Sequence, residues 1–331
     1  MQSITKKTLM LVWNINVYYF NMINIENLDV VEITRSFAGK KKRFLNSIHR
    51  YTQAITRKNS KILYTMPIVR RLYKSFLLKY YDDWFKNIGD YDRIIVFDST
   101  LKTDNSILQN ISAFSKAEGK FLYIWNKIDE GFMNYFSPHI KQSGFKIYSS
   151  DKGDCERFGL LYNFGMYYKG VIIPDKTEDI NAFFCGVDKG RSVKLLKLFN
   201  TMNSIGYPPD IYIYNSNTNY SEFKNRSGYM MYSEYLQNVS NSRVLIELNM
   251  EKYIGLTMRV FESMFFNKKL ITSNIATYES DFYNENNIFY IDDFDHIDKK
   301  KLLDFLQSDV VPYSDDIIDK YDIRAWVEQF I

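Results

Sequence analysis

Cysteine is nearly absent: Cys155 and Cys185 are the only two in 331 residues, and neither stands in a CxxC or other metal-ligand spacing. That excludes a disulfide framework and leaves free thiols, with zinc chemistry not expected. Histidine is scarcer than catalysis by a spaced pair would need. His49, His139 and His296 share no catalytic spacing and are expected on the surface or at helix ends. No long apolar run occurs either. The N-terminal TLMLVWNINVYYF is interrupted by Asn14 and Asn16 and followed by no small-residue cleavage site. It falls short of the roughly 18 uninterrupted residues of a spanning helix, so a cytoplasmic protein, soluble or peripherally bound, is expected. Charge of one sign is missing too. With 43 Lys and Arg against 39 Asp and Glu, the net +4 is too balanced for a dedicated nucleic-acid partner. What is abundant is core-forming material, 46% hydrophobic and 17% aromatic, in a length that favours two domains.

Short β-rich runs alternate with segments of helical period, the pattern of doubly wound α/β domains. The second half is the clearer. AFFCGV (182–187) leads to SVKLLKLFNTM, DIYIYN (210–215) to MMYSEYLQNV, and RVLIEL (243–248) to TMRVFESMFF, with KLITSN and NIFYIDD after them. The first half offers TLMLVW, LDVVEI, RIIVFD, KFLYIW and FKIYS. Five strands are thus expected in each half. The polar, glycine-bearing stretch from Lys152 to Ile180 marks the change of domain. The expected division is 1–165, 166–315 and a C-terminal helix over 316–331 packing back on the first domain. Ligands bind outside the carboxyl ends of strands in such sheets, which points to a cleft between two Rossmann-like domains.

The most informative stretch is Ile246 to Asn274, where a strand ends, a loop reaches Gly255 and a helix starts near Thr257. Free N–H groups and the positive dipole end of that helix suit a diphosphate, and Gly255 permits close backbone approach. Arg259 and Glu262, three apart, could pair with phosphate oxygens and accept from ribose hydroxyls. The plainer alternative is an amphipathic helix with Met258, Phe261 and Phe265 in the core and a solvated Arg259/Glu262 pair. A second signal is FFCGVDKGRSVKLL, where Gly186 and Gly190 permit tight approach and Lys189 or Arg191 could offset phosphate charge; it could equally be a simple βα turn.

GLTMRVFESMFFNKKLITSN resembles the donor-binding segment of GT-B glycosyltransferases, especially bacterial lipopolysaccharide and capsule transferases with a G-[LT]-T-x-R-x-x-E pattern. The likeness covers roughly the last 150 residues. It implies a GT-B fold and transfer of a sugar from a nucleoside diphosphate sugar to a lipopolysaccharide or polysaccharide acceptor, closest to a lipopolysaccharide core rhamnosyltransferase. It further implies Glu262 at the ribose, Gly255, Leu256 and Thr257 contacting the diphosphate, and no cofactor or metal. Ile254 stands where many retaining relatives carry a second glutamate. VDKG resembles the first glycine-rich loop of the donor domain.

A general base would come from the first domain, and Asp98, closing RIIVFD, is the best-placed carboxylate, although an Asp there also suits a helix cap. Asp188, Asp292 and Asp293 read as loop or capping residues, and Asp151 and Asp154 as hinge structure. RSFAGKKKRFLNSIHR gathers Lys41, Lys42 and Arg43. IVRRLYKSFLLKYYDDWF puts Ile68, Leu72, Phe76 and Tyr80 on one stripe near Arg70 and Arg71. Such a face could meet an anionic inner-membrane surface or acceptor, or be a core stripe with a basic rim. Two other readings stay open: a nucleotide-sugar epimerase or hydrolase of the same fold, and a non-catalytic polysaccharide-assembly partner, for which Ile254 is the best argument.

Overall fold

The computed structural model describes residues 3–16, 18–33, 44–45, 47–52, 64–81, 83–174, 177, 179–214, 220–226, 228–249 and 254–331, with backbone alone at 134–139, 141, 225 and 226. The chain forms two compact units. The first lobe comprises Gln2–Ser150, Asp154–Asn163 and Val327–Ile331; the second comprises Asp151–Gly153 and Phe164–Trp326.

The first lobe holds a sheet of six strands: β1 (Thr8–Val12), β2 (Leu28–Glu32), β3 (Arg93–Phe97), β4 (Gly119–Ile124), β5 (Lys146–Ser149) and β6 (Leu161–Tyr162). Their order is β2-β1-β3-β4-β5-β6, with every neighbouring pair parallel. Every residue of β1 and β3 is buried. A parallel sheet covered on both faces needs this, which is why these strands read as unbroken apolar runs. Its helices include α1 (Pro67–Tyr80), α2 (Asp83–Lys86), α3 (Asp98–Thr103), α4 (Ile107–Phe114), α5 (Glu130–Ser143) and α6 (Lys152–Phe158). Leu77, Phe85, Leu108 and Ile111 pack with Leu9, Leu11, Ile94 and Val96 in one core, each such side chain contributing about 1.5–3 kcal/mol. Asp129 caps α5 by accepting from the Phe132 N–H at 2.6 Å, and Gly144 ends it in the left-handed region at φ 71°. The last residues complete this lobe. Phe330 packs on Phe121, Tyr123 and Tyr148, and Arg93 reaches Glu328 and the Val327 carbonyl.

The second lobe holds β7 (Ile180–Val187), β8 (Asp210–Tyr214), β9 (Lys224–Arg226), β10 (Ser242–Glu247), β11 (Lys269–Thr272) and β12 (Ile288–Tyr290). The order β12-β11-β10-β7-β8-β9, again all parallel, is the 3-2-1-4-5-6 winding of a dinucleotide-binding domain. Its helices are α7 (Ser192–Ser204), α8 (Tyr232–Asn241), α9 (Met258–Phe265), α10 (Ile275–Tyr278), α11 (Lys299–Gln307), α12 (Asp315–Tyr321) and α13 (Ile323–Glu328). Ala182, Phe184, Leu195, Leu198, Val244 and Ile246 lie in its core. The expected α/β class, two doubly wound Rossmann-like lobes, is the observed one.

Each sheet carries six strands where five were expected. The additions, β6 and β9, have two and three residues, LY and KNR, too short and too polar or exposed to show an apolar run. The stripe Ile68, Leu72, Phe76 and Tyr80 on α1 is divided between solvent and core. Tyr73, Leu77 and Tyr80 are the buried positions, while Ile68 and Leu72 are 77% and 68% exposed. The helix is turned so that its apolar start faces outward.

Candidate functional site

In an open α/β sheet the ligand crevice opens where the winding reverses, here between β7 and β10 in the second lobe. Two arginines meet there. Arg191, in the loop after β7, donates to the carbonyls of Asp188 at 3.1 Å and Leu248 at 3.0 Å and also to that of Val187. Arg259, in the first turn of α9, donates to the Cys185 carbonyl. Both guanidiniums lie against the Phe184 ring, at 5.2 and 5.0 Å. Gly186 explains how they fit. A Cβ there would stand 3.2 Å from the Arg191 terminal nitrogen and 3.1 Å from that of Arg259, so both converge on space that a side chain would fill.

The electrostatics of this pair are unsatisfied. Among the described residues neither guanidinium has a carboxylate within 4 Å, and the buried Arg259 Nε has no hydrogen-bond partner. Burial, then the charge of Arg259, holds Arg191 down to about 10. Burial opposes the charge on Arg259, but Tyr235, Cys185 and the more distant carboxylates of Glu262 and Glu247 outweigh it, so its pKa stands above the ordinary value. Lys189 is lowered by burial and by Arg191. It occupies the left-handed region at φ 47°, next to Gly190 at 81°, in the turn that feeds α7. No side chain caps α9, whose N-terminus follows Thr257. Converging cations at an uncapped helix start make a site for an anion with several oxygens.

Glu262 lies one turn further into α9 and is 1% exposed. It forms neither the solvated pair with Arg259 nor an open contact. Tyr232 donates to Oε1 at 3.0 Å, Tyr235 donates to Oε2 at 2.5 Å, and Tyr167 joins Tyr232 at 2.7 Å. Burial raises its pKa, against the hydrogen bond from Tyr235, the Arg259 charge and the hydrogen bond from Tyr232. Tyr232 and Tyr235 escaped the sequence reading. Their only signal is the i,i+3 spacing in YSEY, which marks one face of a helix without saying what it meets.

The loop before α9 is held by Glu247, at the end of β10 and fully buried. Its carboxylate accepts from Thr257 (2.6 Å), Thr272 (2.6 Å), Asn274 (3.2 Å) and Thr277 (3.3 Å). Asn274 also donates to the Gly255 carbonyl at 2.9 Å, and Gly255 forms an isolated bridge with Asp151, whose carboxylate accepts the Ile254 N–H at 2.8 Å. Gly255, Leu256 and Thr257 are therefore fixed at the mouth of α9, and a carboxylate stands against position 254.

In the first lobe the winding reverses between β1 and β3, and Asp98 follows β3 directly. It is 5% exposed and opens α3, accepting from the Trp125 N–H at 3.3 Å. A pocket of about 290 Å³ is lined by Asp98 with Lys102, Asn126, Lys127, Asp129 and Phe132. Burial raises the Asp98 pKa, against hydrogen bonds from Trp125, Asn126 and Ser99 and the charge of Lys102. A carboxylate with a raised proton affinity in a pocket has the character of a general base.

The remaining residues fall elsewhere. Lys41, Lys42 and Arg43 lie outside the described residues, as does the His139 side chain. Arg70 is spoken for, donating to the Ala113 carbonyl at 2.8 Å and lying over Phe114, whereas Arg71 is exposed. Asp188 caps α7 by accepting from the Ser192 N–H, Asp292 and Asp293 accept from loop N–H groups, and Asp154 accepts from that of Ile128. His49 corrects the surface expectation. It is 2% exposed, stacked on Tyr80 at 4.0 Å and 3.2 Å from Asp104. Tyr81, Ser106 and Asn110 extend the same buried polar network.

No protein-family model matches this chain, and no curated protein matches it. Similar solved structures exist. One is the T4 phage BGT in complex with its UDP-glucose substrate, at 14% identity and TM-score 0.38 over 74% of this chain and 83% of that one. Another is an alpha-glucosyltransferase in complex with UDP and a 13-mer DNA containing a HMU base, at 12% identity and TM-score 0.43 over 74% and 77%. A third is accessory secretory protein 1, 2 and 3 of Streptococcus pneumoniae, at 10% identity and TM-score 0.43 over 80% of this chain and 57% of that one. What the site can do rests on its own residues.

Proposed function

We propose that this chain is a glycosyltransferase that takes a sugar from a nucleoside diphosphate sugar and attaches it to a saccharide acceptor. The observation that carries the reading is the convergence of Arg191 and Arg259 over Gly186 at the switch point, beside the uncapped start of α9. In the transfer, the bond between the anomeric carbon and the β-phosphate oxygen breaks, and its electron pair leaves with the diphosphate. The two guanidiniums and the helix N-terminus offset that charge. An acceptor hydroxyl oxygen bonds to the anomeric carbon and its proton passes to a carboxylate, for which Asp98 is our choice. Gly255, Leu256 and Thr257 would meet the diphosphate through their backbone. Glu262, the residue that the resemblance puts at the ribose, is closed in by Tyr232 and Tyr235, and we assign it to holding α9 against α8 beneath the donor. No metal is invoked.

The acceptor class we favour is a bacterial lipopolysaccharide or capsular polysaccharide, following the resemblance of GLTMRVFESMFFNKKLITSN. Peripheral attachment at an anionic membrane face is part of the proposal. It is supported by exposed Met66, Ile68 and Leu72 beside Arg71 and Lys74 on a helix without an acidic residue. The test is calorimetry of the purified chain against UDP, GDP, dTDP and CMP. Preference for one nucleoside diphosphate, lost in Arg191→Gln, supports the donor site; binding of none of them refutes it and favours the assembly-partner reading.

A further inference from the structure

We infer that the outer face of α10, where the rings of Tyr278, Tyr283 and Tyr290 cluster beside Glu279, Glu285 and Asp292, docks an arginine-bearing segment of another protein. The inference concerns the second lobe alone and does not depend on the proposed transfer.

The short helix α10 has two unlike sides. Its N-cap Asn274 and its third residue Thr277 are buried and donate to the Glu247 carboxylate at 3.2 and 3.3 Å. Ile275 and Tyr278 are turned away from that carboxylate and are 39% and 45% exposed. The Tyr278 ring stacks on Tyr290, the last residue of β12, at 4.8 Å and 28°, and meets Tyr283 edge-on at 4.8 Å. Turns fix the chain between them: the Tyr283 N–H donates to the Ser280 carbonyl at 3.2 Å, and the Asn287 N–H to that of Asn284 at 2.9 Å. β12 ends the sheet on this side, so the rings form a held aromatic surface at its carboxyl end. Rings fixed in advance lose little freedom when a partner arrives.

The charge around the rings is of one sign. Glu279, Glu285 and Asp292 are exposed. Burial and then the charges of Asp292 and Glu279 raise the Tyr290 hydroxyl above its ordinary value, and burial, Tyr278 and Glu285 do the same for Tyr283. The neighbouring carboxylates are already answered: Asp281 holds Lys320, Asp293 holds His296 and Asp295 holds Lys197. Among the described residues Glu279, Glu285 and Asp292 hold no cation. A cation suits both parts of this surface, since ring faces carry negative potential as well. A guanidinium meets both at once, lying flat on a tyrosine while its edge pairs with a carboxylate; a lysine ammonium is a point charge and more strongly hydrated. The carboxylates act on two different rings, Glu285 on Tyr283 and Asp292 with Glu279 on Tyr290, which favours a segment with more than one arginine over a small cation. A neutral saccharide could use the rings but would leave three carboxylates unopposed. The exposed basic face of this chain itself, Arg71 and Lys74 on α1, is already taken by the proposed membrane contact, so the segment belongs to another protein.

The test is fluorescence anisotropy of the full chain at physiological salt, with labelled peptides that alternate glycine with arginine, lysine or glutamate and with maltoheptaose as an unlabelled competitor. We expect saturable binding of the arginine peptide, roughly fivefold or more weaker binding of the lysine peptide and none of the glutamate peptide. Tyr278→Ala and the pair Glu279→Gln/Glu285→Gln should each weaken binding by roughly tenfold or more, with melting temperature unchanged; the glutamine pair decides alone where Tyr278→Ala fails to fold. The pair Glu156→Gln/Asp316→Asn removes the same charge from other exposed positions and should leave binding within about twofold. Absence of saturable arginine-peptide binding, equal affinity for the lysine peptide, equal loss in the control pair, or displacement by maltoheptaose overturns the inference. So does self-association in sedimentation that either α10-face variant abolishes, which would give the face to a second copy of this chain.

Discussion

Replacing Arg191 by Gln should leave the empty protein about as stable as before while removing most of what a nucleotide adds to it. Arg191 is held near 10 instead of 12.5, which corresponds to roughly 3 kcal/mol of unfavourable burial and repulsion. Its hydrogen bonds to three carbonyls work the other way, and because Gln keeps part of them the lost and gained terms oppose one another. A diphosphate changes this balance by supplying the missing negative charge. At a hundred times its Kd, a nucleotide that binds only the folded state stabilises it by about 2.7 kcal/mol. For a lobe of this size that is roughly 5–10 °C in melting temperature. Losing one charge-assisted contact costs about 1.5–3 kcal/mol of binding, or 10- to 150-fold in Kd. At the same nucleotide concentration the remaining stabilisation falls to roughly 0.3–1.4 kcal/mol. The assay is scanning calorimetry at low salt with UDP, or whichever nucleotide binds best, and with the matching nucleoside as control. The reasoning fails if nucleoside and diphosphate shift the wild-type transition equally, or if Arg191→Gln keeps the full shift.

Asp98→Asn should lower kcat by about 10²–10⁴ with donor affinity intact. Because burial raises the Asp98 pKa, wild-type activity should climb with pH through a limb above the usual carboxylate range, and that limb should vanish in the variant. The same raised value means that Asp98 favours the folded state at acid pH and loses that contribution as the carboxyl ionises. Thermal melts should therefore find Asp98→Asn at least as stable as wild type at pH 7, and a marked loss would argue for a structural role. Glu247→Ala leaves Thr257, Thr272, Asn274 and Thr277 without their acceptor. Urea melts should register a loss of roughly 3 kcal/mol or more, with nucleotide affinity falling too because the loop before α9 loosens. For the membrane face, co-sedimentation with vesicles containing phosphatidylglycerol should retain the wild-type chain and lose it in Ile68→Ser/Leu72→Ser; equal retention by phosphatidylcholine vesicles would count against an anionic surface.

The central strands were legible because both faces of a parallel sheet are covered, so β1, β3, β7 and β10 are written as continuous apolar runs. Two of the four edge strands were not, since Leu161–Tyr162 and Lys224–Arg226 are two and three residues long and carry no such signature, whereas the edges β2 and β12 were. Arg191 and Arg259 were each visible beside a glycine and a helix start. Their convergence was invisible, because it depends on β7 and β10 being neighbours, a fact of strand order that no local pattern encodes. The same holds for Glu262. Its place on the helix could be counted, but the tyrosines of α8 that receive it come from a separate element. His49 looked like a surface residue because its partners Asp104 and Ser106 lie more than fifty positions away. On α1 the apolar period was real, yet period alone does not say which of two overlapping stripes turns inward.

The last five residues are part of the first lobe, where Phe330 fills the space between Phe121 and Tyr148 and Glu328 answers Arg93. A ribosome therefore finishes the first sheet long before it delivers the residues that close one side of it. At ~5–20 residues per second the gap is on the order of 10–30 s. During that interval Phe121 and Tyr148 lack their covering ring and the Arg93 side chain lacks its carboxylate. The early lobe should emerge as a chaperone client, maturing only once Val327–Ile331 have been made, and cutting the gene at the linear boundary between the halves would make that temporary state permanent.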